Sequence, residues 1–162
     1  MTEAEVIRSD TAGEGADCVI RLLAQARYRV DIESLQLDPL LYDRRGVRDA
    51  LRRLVVKEAR RARVRIVVTD AAPLVQAGHR LLELSRQLTS HVEIRELSTE
   101  DAAEPAPCVI VDDEHYFRWQ AGAGYVGSGR WNDRGHAGRW RRHFNERWER
   151  ADLPPALRRL HL

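Results

Sequence analysis

The stretch Pro105–Trp119, PAPCVIVDDEHYFRW, decides how this chain is expected to fold. Its apolar segment Cys108–Val111 and the segment His115–Trp119 are separated only by the three acidic residues at 112–114. Two short strands joined by so few residues predict an antiparallel hairpin. An acidic turn followed by histidine and arginine can carry catalysis or bind a ligand. The two prolines that open the stretch can supply neither a nucleophile nor a hydrogen-bond donor.

Upstream of this hairpin, segments with helical periodicity alternate with segments typical of strands. Helices are predicted over 14–27, 47–61, 73–88 and 136–151, and strands over 28–34, 64–68 and 91–97. Residues 98–107 are typical of a loop, and residues 120–135 are glycine-rich and irregular. The alternation predicts an α/β fold of three layers, in which helices flank a mixed, mostly parallel sheet. We expect one domain over 1–162, with its core at about 15–151.

Composition indicates a soluble globular protein, since 43% of the 162 residues are hydrophobic and 32% are charged. No apolar run approaches the roughly 18 residues of a membrane span, and the N-terminus has no signal-peptide pattern. Cys18 and Cys108 lie in apolar runs, which favours buried thiols over a disulfide. We therefore expect a cytoplasmic protein that needs no cofactor.

The chain is rich in arginine, because 26 of its 27 basic residues are arginine and only Lys57 is lysine. Codon bias in a GC-rich bacterial genome explains this, and recognition of anions is the sharper alternative. Residues 118–150 hold eight arginines and three acids, a balance of +5, so the rest of the +2 chain sums to −3. This segment offers a candidate nucleic-acid face, on which phosphate contacts would depend steeply on salt. The face consists of Arg139, Arg141, Arg142, Arg147 and Arg150.

Several short sequence patterns resemble catalytic or ligand-binding motifs but lack the surrounding secondary structure that such motifs require. Gly122–Gly127 matches G-x-G-x-x-G without the strand–helix unit of a dinucleotide site, which predicts a flexible loop. Asp112, Asp113 and His115 alternate between strand faces, so no metal site is expected. Ser128 lacks the strand–turn–helix of a nucleophile elbow. His79 is expected to be a surface histidine that could cap a helix or bind an anion.

The order of elements and the hairpin resemble the phospholipase D-like superfamily over roughly residues 15–150. That family carries H-x-K-x4-D, followed by G-S-x-N, and its histidine forms a phosphoryl-enzyme while its lysine clamps phosphate. With Asp112 as the family aspartate, the histidine and lysine positions are Pro105 and Pro107, and 119–122 does not match G-S-x-N. No H-x-K occurs anywhere in the chain. The chain is therefore similar to a degenerate, catalytically silent half of that fold, like bacterial domains of unknown function placed in the superfamily.

The resemblance implies where a surviving anion pocket would lie. We expect it to be lined by Asp112, His115, Arg118, Glu33 and Asp38, with Arg118 as the anchor. The structural alternative is that Asp112 caps the turn and forms an ion pair with Arg118.

Three functions follow from these observations. The first is a pseudoenzyme that acts as a binding or interaction module, with a homodimer or an unknown protein as partner, because active family members place two motif-bearing halves face to face. The second is a nucleic-acid-binding protein that uses the basic C-terminal segment. The third is a divergent phosphodiesterase with His115 as a relocated nucleophile and Arg118 or Arg130 as the phosphate clamp.

Overall fold

The computed structural model describes residues 5–158 as one open sheet of seven strands with helices on both faces. The strands are β1 Val6–Ser9, β2 Arg29–Ser34, β3 Arg63–Val68, β4 Val92–Glu96, β5 Cys108–Val111, β6 His115–Trp119 and β7 Gly127–Arg130. The helices are α1 Ala12–Ala24, α2 Arg45–Lys57, α3 Ala72–Ala77, α4 Arg80–Gln87, α5 Thr99–Ala102, α6 Arg134–Arg150 and α7 Pro155–Arg158.

The sheet has the order β1-β7-β6-β5-β2-β3-β4. Strands β2, β3 and β4 pair in parallel through the crossover helices α2 and α4, whereas every other pair is antiparallel. The mixed α/β class is confirmed. The parallel part is smaller than the sequence predicted, because β5, β6 and β7 follow one another as hairpins and β1 closes the edge.

Two hydrophobic clusters lie on opposite faces of the sheet. Helices α1, α2 and α4 cover the larger cluster, which includes Leu22, Leu51, Leu81 and Phe117. Helix α6 covers the smaller cluster through a stripe that places Phe144 and Trp148 against the sheet and leaves Trp140 partly buried. Helix α6 therefore docks on the face of the sheet opposite α1, α2 and α4, which gives the three layers that the sequence predicted.

The helix predicted over 73–88 is instead two helices. Gly78 takes a left-handed φ of 60° and ends α3. His79 then caps α4, because its Nδ1 accepts the Leu81 N–H at 3.0 Å while its Nε2 donates to the Leu37 carbonyl at 3.0 Å. The expected surface histidine is wrong, since His79 is buried, but the expected cap is present.

Candidate functional site

The five residues of the predicted pocket do not share one pocket, although Glu33 and Arg118 line the same small pocket beside Trp140. In the β5–β6 ladder, Val111 faces His115 at the turn and Cys108 faces Arg118 at the far end. Three residues of strand separate these ends by roughly 10 Å. His115 and Arg118 also project from opposite faces of the sheet, because they are three positions apart and residues on the same face are an even number of positions apart. A single pocket containing both side chains is therefore wrong.

Asp112 is a structural residue at the turn. Its carboxylate accepts the backbone N–H groups of Arg27, Tyr28 and Arg29 at 2.7, 3.0 and 2.9 Å, which ties the turn to the start of β2. Asp112 and Asp113 both have a φ of 56°, as in a type I′ turn. The predicted ion pair between Asp112 and Arg118 is not formed, since they lie at opposite ends of the hairpin.

His115 lies at the turn end of β6, on the face covered by α1. Its Nδ1 accepts the Asn132 N–H at 3.0 Å, and its ring packs edge-on against Trp131 with centroids 5.0 Å apart. Burial lowers the pKa of His115 from its usual 6.5, so the ring is neutral near pH 7. A neutral ring that already accepts a backbone hydrogen bond, far from Arg118, is poorly placed for attack on a phosphate held there.

Glu33 is committed to a buried ion pair. Its carboxylate receives Arg147 Nε at 2.6 Å and Nη2 at 2.9 Å, and both side chains are almost fully buried. It also accepts the N–H of Ala106 at 2.6 Å, which fixes the segment between the two prolines. Glu33 therefore joins β2, α6 and the proline segment, and it has no free oxygen for a ligand.

Asp38 belongs to a different cavity, at the carboxyl end of β2. Its Oδ2 accepts the hydroxyl of Tyr125 at 2.8 Å, and its Oδ1 accepts the Leu40 N–H at 2.9 Å. The cavity, of about 490 Å³, is mainly apolar, and we call it the apolar cavity. Its walls include Leu41, Tyr42, Leu74, Pro107, Trp119 and Tyr125.

Arg118 lies beside the positions where the resemblance puts the catalytic pair. A cleft of about 560 Å³ opens there, and we call it the motif-edge cleft. It is lined by Arg8, Pro105, Pro107, Arg118, Gln120 and Ser128, together with Asp10 and neighbouring residues. The guanidinium carbon of Arg118 lies 3.4 Å from the ring centroid of Trp140, which holds this half-exposed side chain over α6. The place of the missing histidine and lysine is therefore open.

A row of side chains crosses three strands at this cleft. Arg8 of β1 pairs with Ser128 of β7, which pairs with Arg118 of β6. Directly opposite residues share a face of the sheet and adjacent strands lie about 4.8 Å apart, so the three side chains leave the sheet next to one another on the same face. Neither arginine forms an ion pair with a carboxylate of residues 5–158, although Asp10 lines the same cleft.

Sequence reasoning missed Arg8 and Ser128. It expected no strand at the polar N-terminus and treated 120–135 as irregular, so it had no reason to place either residue at the cleft. The available signal was the Gly127-Ser128 pair, which matches the first half of G-S-x-N once the loop 120–126 is allowed as an insertion. That loop is held by a hydrogen bond from the Gln120 N–H to the Val126 carbonyl at 2.8 Å.

The basic face predicted on α6 is largely neutralised. Arg147 is buried on Glu33, Arg150 binds Asp101 through two hydrogen bonds of 2.8 Å, and Arg141 binds Asp113 at 2.9 Å. Of the five arginines, Arg139 and Arg142 alone have no carboxylate partner within the described part of the chain.

Neither a metal site nor a reactive thiol emerges from the described residues. Residues 5–158 contain no group of three His, Cys, Asp or Glu side chains arranged to hold a metal ion. Cys18 and Cys108 are buried and unpaired, and burial raises the pKa of both thiols. No helix within 5–158 is long and apolar enough to span a membrane.

Comparison with known proteins places this geometry in a family. Residues 11–160 match a family described as a domain of unknown function, DUF7931. The chain belongs to this family. None of the curated proteins matches this DUF7931 chain in sequence.

Solved structures show which fold the DUF7931 chain has. It is similar to TrmBL2, an archaeal chromatin protein described as binding DNA in a novel mode, with a TM-score of 0.66 and 17% identity over 93% of this chain. The chain spans about half of that protein, 54% of its length.

Two further structures are matched over nearly their whole length. Nuc from Salmonella typhimurium, a phospholipase D family member, has a TM-score of 0.59 at 15% identity, covering 92% of this chain and 95% of Nuc. NucT from Helicobacter pylori has a TM-score of 0.56 at 12% identity, covering 93% of this chain and 98% of NucT. The DUF7931 chain therefore has the phospholipase D-like fold that the hairpin and its upstream elements predicted.

Proposed function

We propose that this chain is a non-catalytic binding module whose motif-edge cleft holds a small anionic ligand. The observation that carries the proposal is the row of Arg8, Ser128 and Arg118, which lines an open cleft beside Pro105 and Pro107. Two arginines and a hydroxyl supply donors for a phosphate or carboxylate group, and arginine forks suit both. The stacking of Arg118 on Trp140 orders one of these donors before the ligand binds.

The same cleft argues against catalysis by the mechanism that the resemblance implies. Proline stands at both positions of the histidine and lysine pair, and the chain contains no H-x-K. The lone lysine, Lys57, ends α2 and lies near Tyr28, at the opposite end of β2 from the cleft. His115 projects from the other face of the sheet. The cleft therefore lacks the histidine nucleophile and the lysine clamp of that mechanism.

The adjoining apolar cavity suggests that the ligand has an apolar or planar part as well. Pro107, Trp119 and Gln120 line both the motif-edge cleft and the apolar cavity. The apolar cavity lies at the carboxyl end of β2, a common position for ligand sites in open α/β sheets. The motif-edge cleft lies at the same edge of the sheet, beside the amino end of β5. A ligand such as a phosphomonoester with a planar group could place its anion on Arg118 and its apolar part against Trp119.

The two alternative functions have less support in the geometry. Ion pairs occupy three of the five arginines of the expected nucleic-acid face on α6. The DNA-binding description of TrmBL2 keeps nucleic acid among the ligands to be tested. A phosphodiesterase built on His115 would need Arg118 or Arg130 as its phosphate clamp, and both project from the opposite face of the sheet. The arginines that line a cavity with His115 are Arg21 and Arg27.

A second copy of this chain is the partner that we propose for the module. The resemblance implies that two halves face each other across the motif edge. Leu35 and Leu40, which are 58% and 57% exposed, lie at this edge of the sheet, where an interface would cover them. Sedimentation velocity at micromolar concentration should give the mass of a dimer, and a monomer at 100 μM would contradict the pairing.

The test is a thermal-shift comparison of the wild type and Arg118→Gln with inorganic phosphate, a nucleoside monophosphate, glycerol 3-phosphate and short single-stranded DNA. A ligand present at a hundred times its Kd stabilises the folded state by about 2.7 kcal/mol. For a chain of this length, the melting temperature should then rise by roughly 5–10 °C. The rise should be lost in Arg118→Gln and kept in the control Arg142→Gln, which removes an exposed arginine of α6.

Two results would contradict the proposal. One is an equal shift in wild type and Arg118→Gln for every ligand, since the cleft would then not be the site. The other is turnover of bis(p-nitrophenyl) phosphate that Arg118→Gln or His115→Ala abolishes, because the module would then be an enzyme.

A further inference from the structure

A second charged surface lies on α2, away from the motif-edge cleft. Residues 44–63 hold nine basic residues and two acids, a net charge of 9 − 2 = +7 within 20 residues. Only Arg48 and Asp49 pair with each other, at 3.1 Å. Among the residues that the structure describes, no carboxylate forms an ion pair with the other eight. We call these eight exposed cations the α2 basic face; they are Arg44, Arg45, Arg52, Arg53, Lys57, Arg60, Arg61 and Arg63.

Helix stability does not explain this face. Cations in the last turn of a helix interact favourably with the helix dipole and stabilise the helix, whereas cations in the first turn destabilise it. Helix α2 begins with Arg44 as its N-cap, which makes no side-chain capping bond, followed by Arg45, and it has no acid in its first turn. Codon bias explains why these cations are arginine rather than lysine. It does not explain why acids are nearly absent beside them, when 25 acids occur in the chain.

The face also has a concave part between α1 and α2. A cavity of about 390 Å³ is lined there by Arg27, Arg53, Lys57 and Arg61, with Glu58 as its acidic residue. The guanidinium carbon of Arg61 lies 4.9 Å from the ring centroid of Tyr28, which orients one wall of the cavity. Arg53 and Lys57 are four residues apart in α2, so their cations lie about 6 Å apart along one side of the helix. Arg61 follows in the turn after the helix and lines the same cavity.

From this arrangement we infer that the α2 basic face binds the phosphate backbone of a nucleic acid. The 13 residues of α2 span about 20 Å. Phosphates of one DNA strand recur every 3.4 Å along the duplex axis, so several of them can lie against the face. This inference is independent of the proposed ligand of the motif-edge cleft.

An anionic membrane surface fits the face less well. A helix that lies in a membrane needs an exposed apolar side. The apolar residues Val47, Leu51, Leu54 and Val55 of α2 are buried in the core, and Val56 alone among the apolar residues of α2 is exposed. The α2 basic face therefore has positive charge but almost no exposed apolar surface that could insert into a membrane. This favours the phosphate backbone of a nucleic acid as its ligand.

The test measures binding of a fluorescein-labelled 25-base-pair duplex by anisotropy between 50 and 200 mM salt. We compare wild type with R53Q/K57Q/R61Q, which keeps helix-forming residues, and with the matched control R134Q/R139Q/R142Q on α6. Each phosphate contact contributes about 0.9 to the slope of log K against log salt. The α2 variant should bind at least tenfold more weakly at 50 mM salt, with a slope smaller by about 2–3, and the control should change less than threefold. Circular dichroism checks that both variants remain helical.

Several outcomes would overturn the inference: no binding at 0.1 mM protein and 50 mM salt, an equal loss in the control, or an unchanged slope in the α2 variant. Binding to phosphatidylserine vesicles without binding to the duplex would also overturn it. Arg118→Gln should bind the duplex like the wild type. Anion binding at the motif-edge cleft and duplex binding by the α2 basic face are therefore tested separately, and either proposal can fail without the other.

Discussion

At the scale of single residues, the aspartate that carries the family resemblance serves the fold. Asp112 is 4% exposed and accepts three backbone N–H groups that precede or begin β2. Its left-handed backbone conformation turns the chain from β5 into β6. In the sequence this acidic turn looked like part of an active site. In the structure it connects β5 to β6 and holds both to the start of β2.

Asp112→Ala should lower the free energy of unfolding by about 2–4 kcal/mol, because it leaves several donors without a partner at a mostly buried site. Glu114→Ala on the same turn removes ion pairs with the exposed side chains of Arg27 and Arg134 and a 4.0 Å contact with the neutral ring of His115, and it should cost less than about 1 kcal/mol. Urea denaturation measures both. An equal loss of unfolding free energy in the two variants would show that the hydrogen bonds of Asp112 do not hold the turn to β2.

His79 predicts how stability depends on pH. Burial lowers the pKa of its ring from 6.5, and the nearby carboxylate of Asp43 opposes that shift less strongly. The unfolded chain takes up a proton near pH 6.5 while the folded chain keeps the ring neutral. The contribution of His79 is therefore complete above about pH 6.5 and is lost as the pH falls below it.

His79→Asn keeps an acceptor for the Leu81 N–H and removes the titration. Urea denaturation between pH 5 and 7.5 should show a variant that is less stable at pH 7 but has a flatter pH profile. His115, whose pKa burial also lowers, should contribute a second part of the slope that His115→Asn removes. If the profile of His79→Asn parallels that of the wild type, this account of His79 is wrong.

At the scale of elements, the pair of Glu33 and Arg147 fastens α6 to the sheet. In Glu33→Ala the guanidinium of Arg147 stays buried, and its remaining partners are the Asp101 carboxylate, 3.6 Å away, and the Asp101 backbone carbonyl. This variant should lower the free energy of unfolding by about 3–5 kcal/mol. The double variant Glu33→Leu with Arg147→Met should recover a large part of that loss, because no charge is then left buried. Urea midpoints compare the three proteins, and a double variant as unstable as Glu33→Ala would contradict this role.

The sequence predicted the elements with strong periodicity and missed those defined by tertiary contacts. The bounds of the β5–β6 hairpin agree with the prediction because an apolar run and an acidic turn mark them locally. Strand β7, with the sequence GSGR, has no strand propensity of its own. A side chain at Gly129 would meet the backbone of Tyr116, so this strand depends on glycine for close approach to β6. Strand β1 pairs only with β7 and was missed with it.

The site was harder to predict than the fold for a related reason. The sequence shows that Pro105 and Pro107 replace the catalytic pair, but not whether they fill the pocket. Grouping His115 with Arg118 ignored that they are an odd number of residues apart on one strand. Arg8 and Ser128 reach the cleft only through the pairing of β1, β7 and β6, and neither strand has a local signal.

At the scale of the whole molecule, the two proposed binding surfaces lie at opposite ends of the sheet. The motif-edge cleft is at the edge of the sheet where β2 ends and β5 begins, and the cavity of the α2 basic face adjoins Tyr28, just before the amino end of β2. About 20 Å of strand separates these ends. One ligand at the cleft and a nucleic acid on α2 could therefore be bound together without steric conflict.

The most direct test of the central claim is a titration of the ¹⁵N-labelled protein with inorganic phosphate, followed by two-dimensional NMR at constant ionic strength. We expect saturable shifts of the amide signals of Arg8, Arg118 and Ser128, which disappear in Arg118→Gln but not in Arg142→Gln. Saturation confined to residues outside the motif-edge cleft, or no saturable shift at 50 mM phosphate, would contradict an anion site where the catalytic pair is missing.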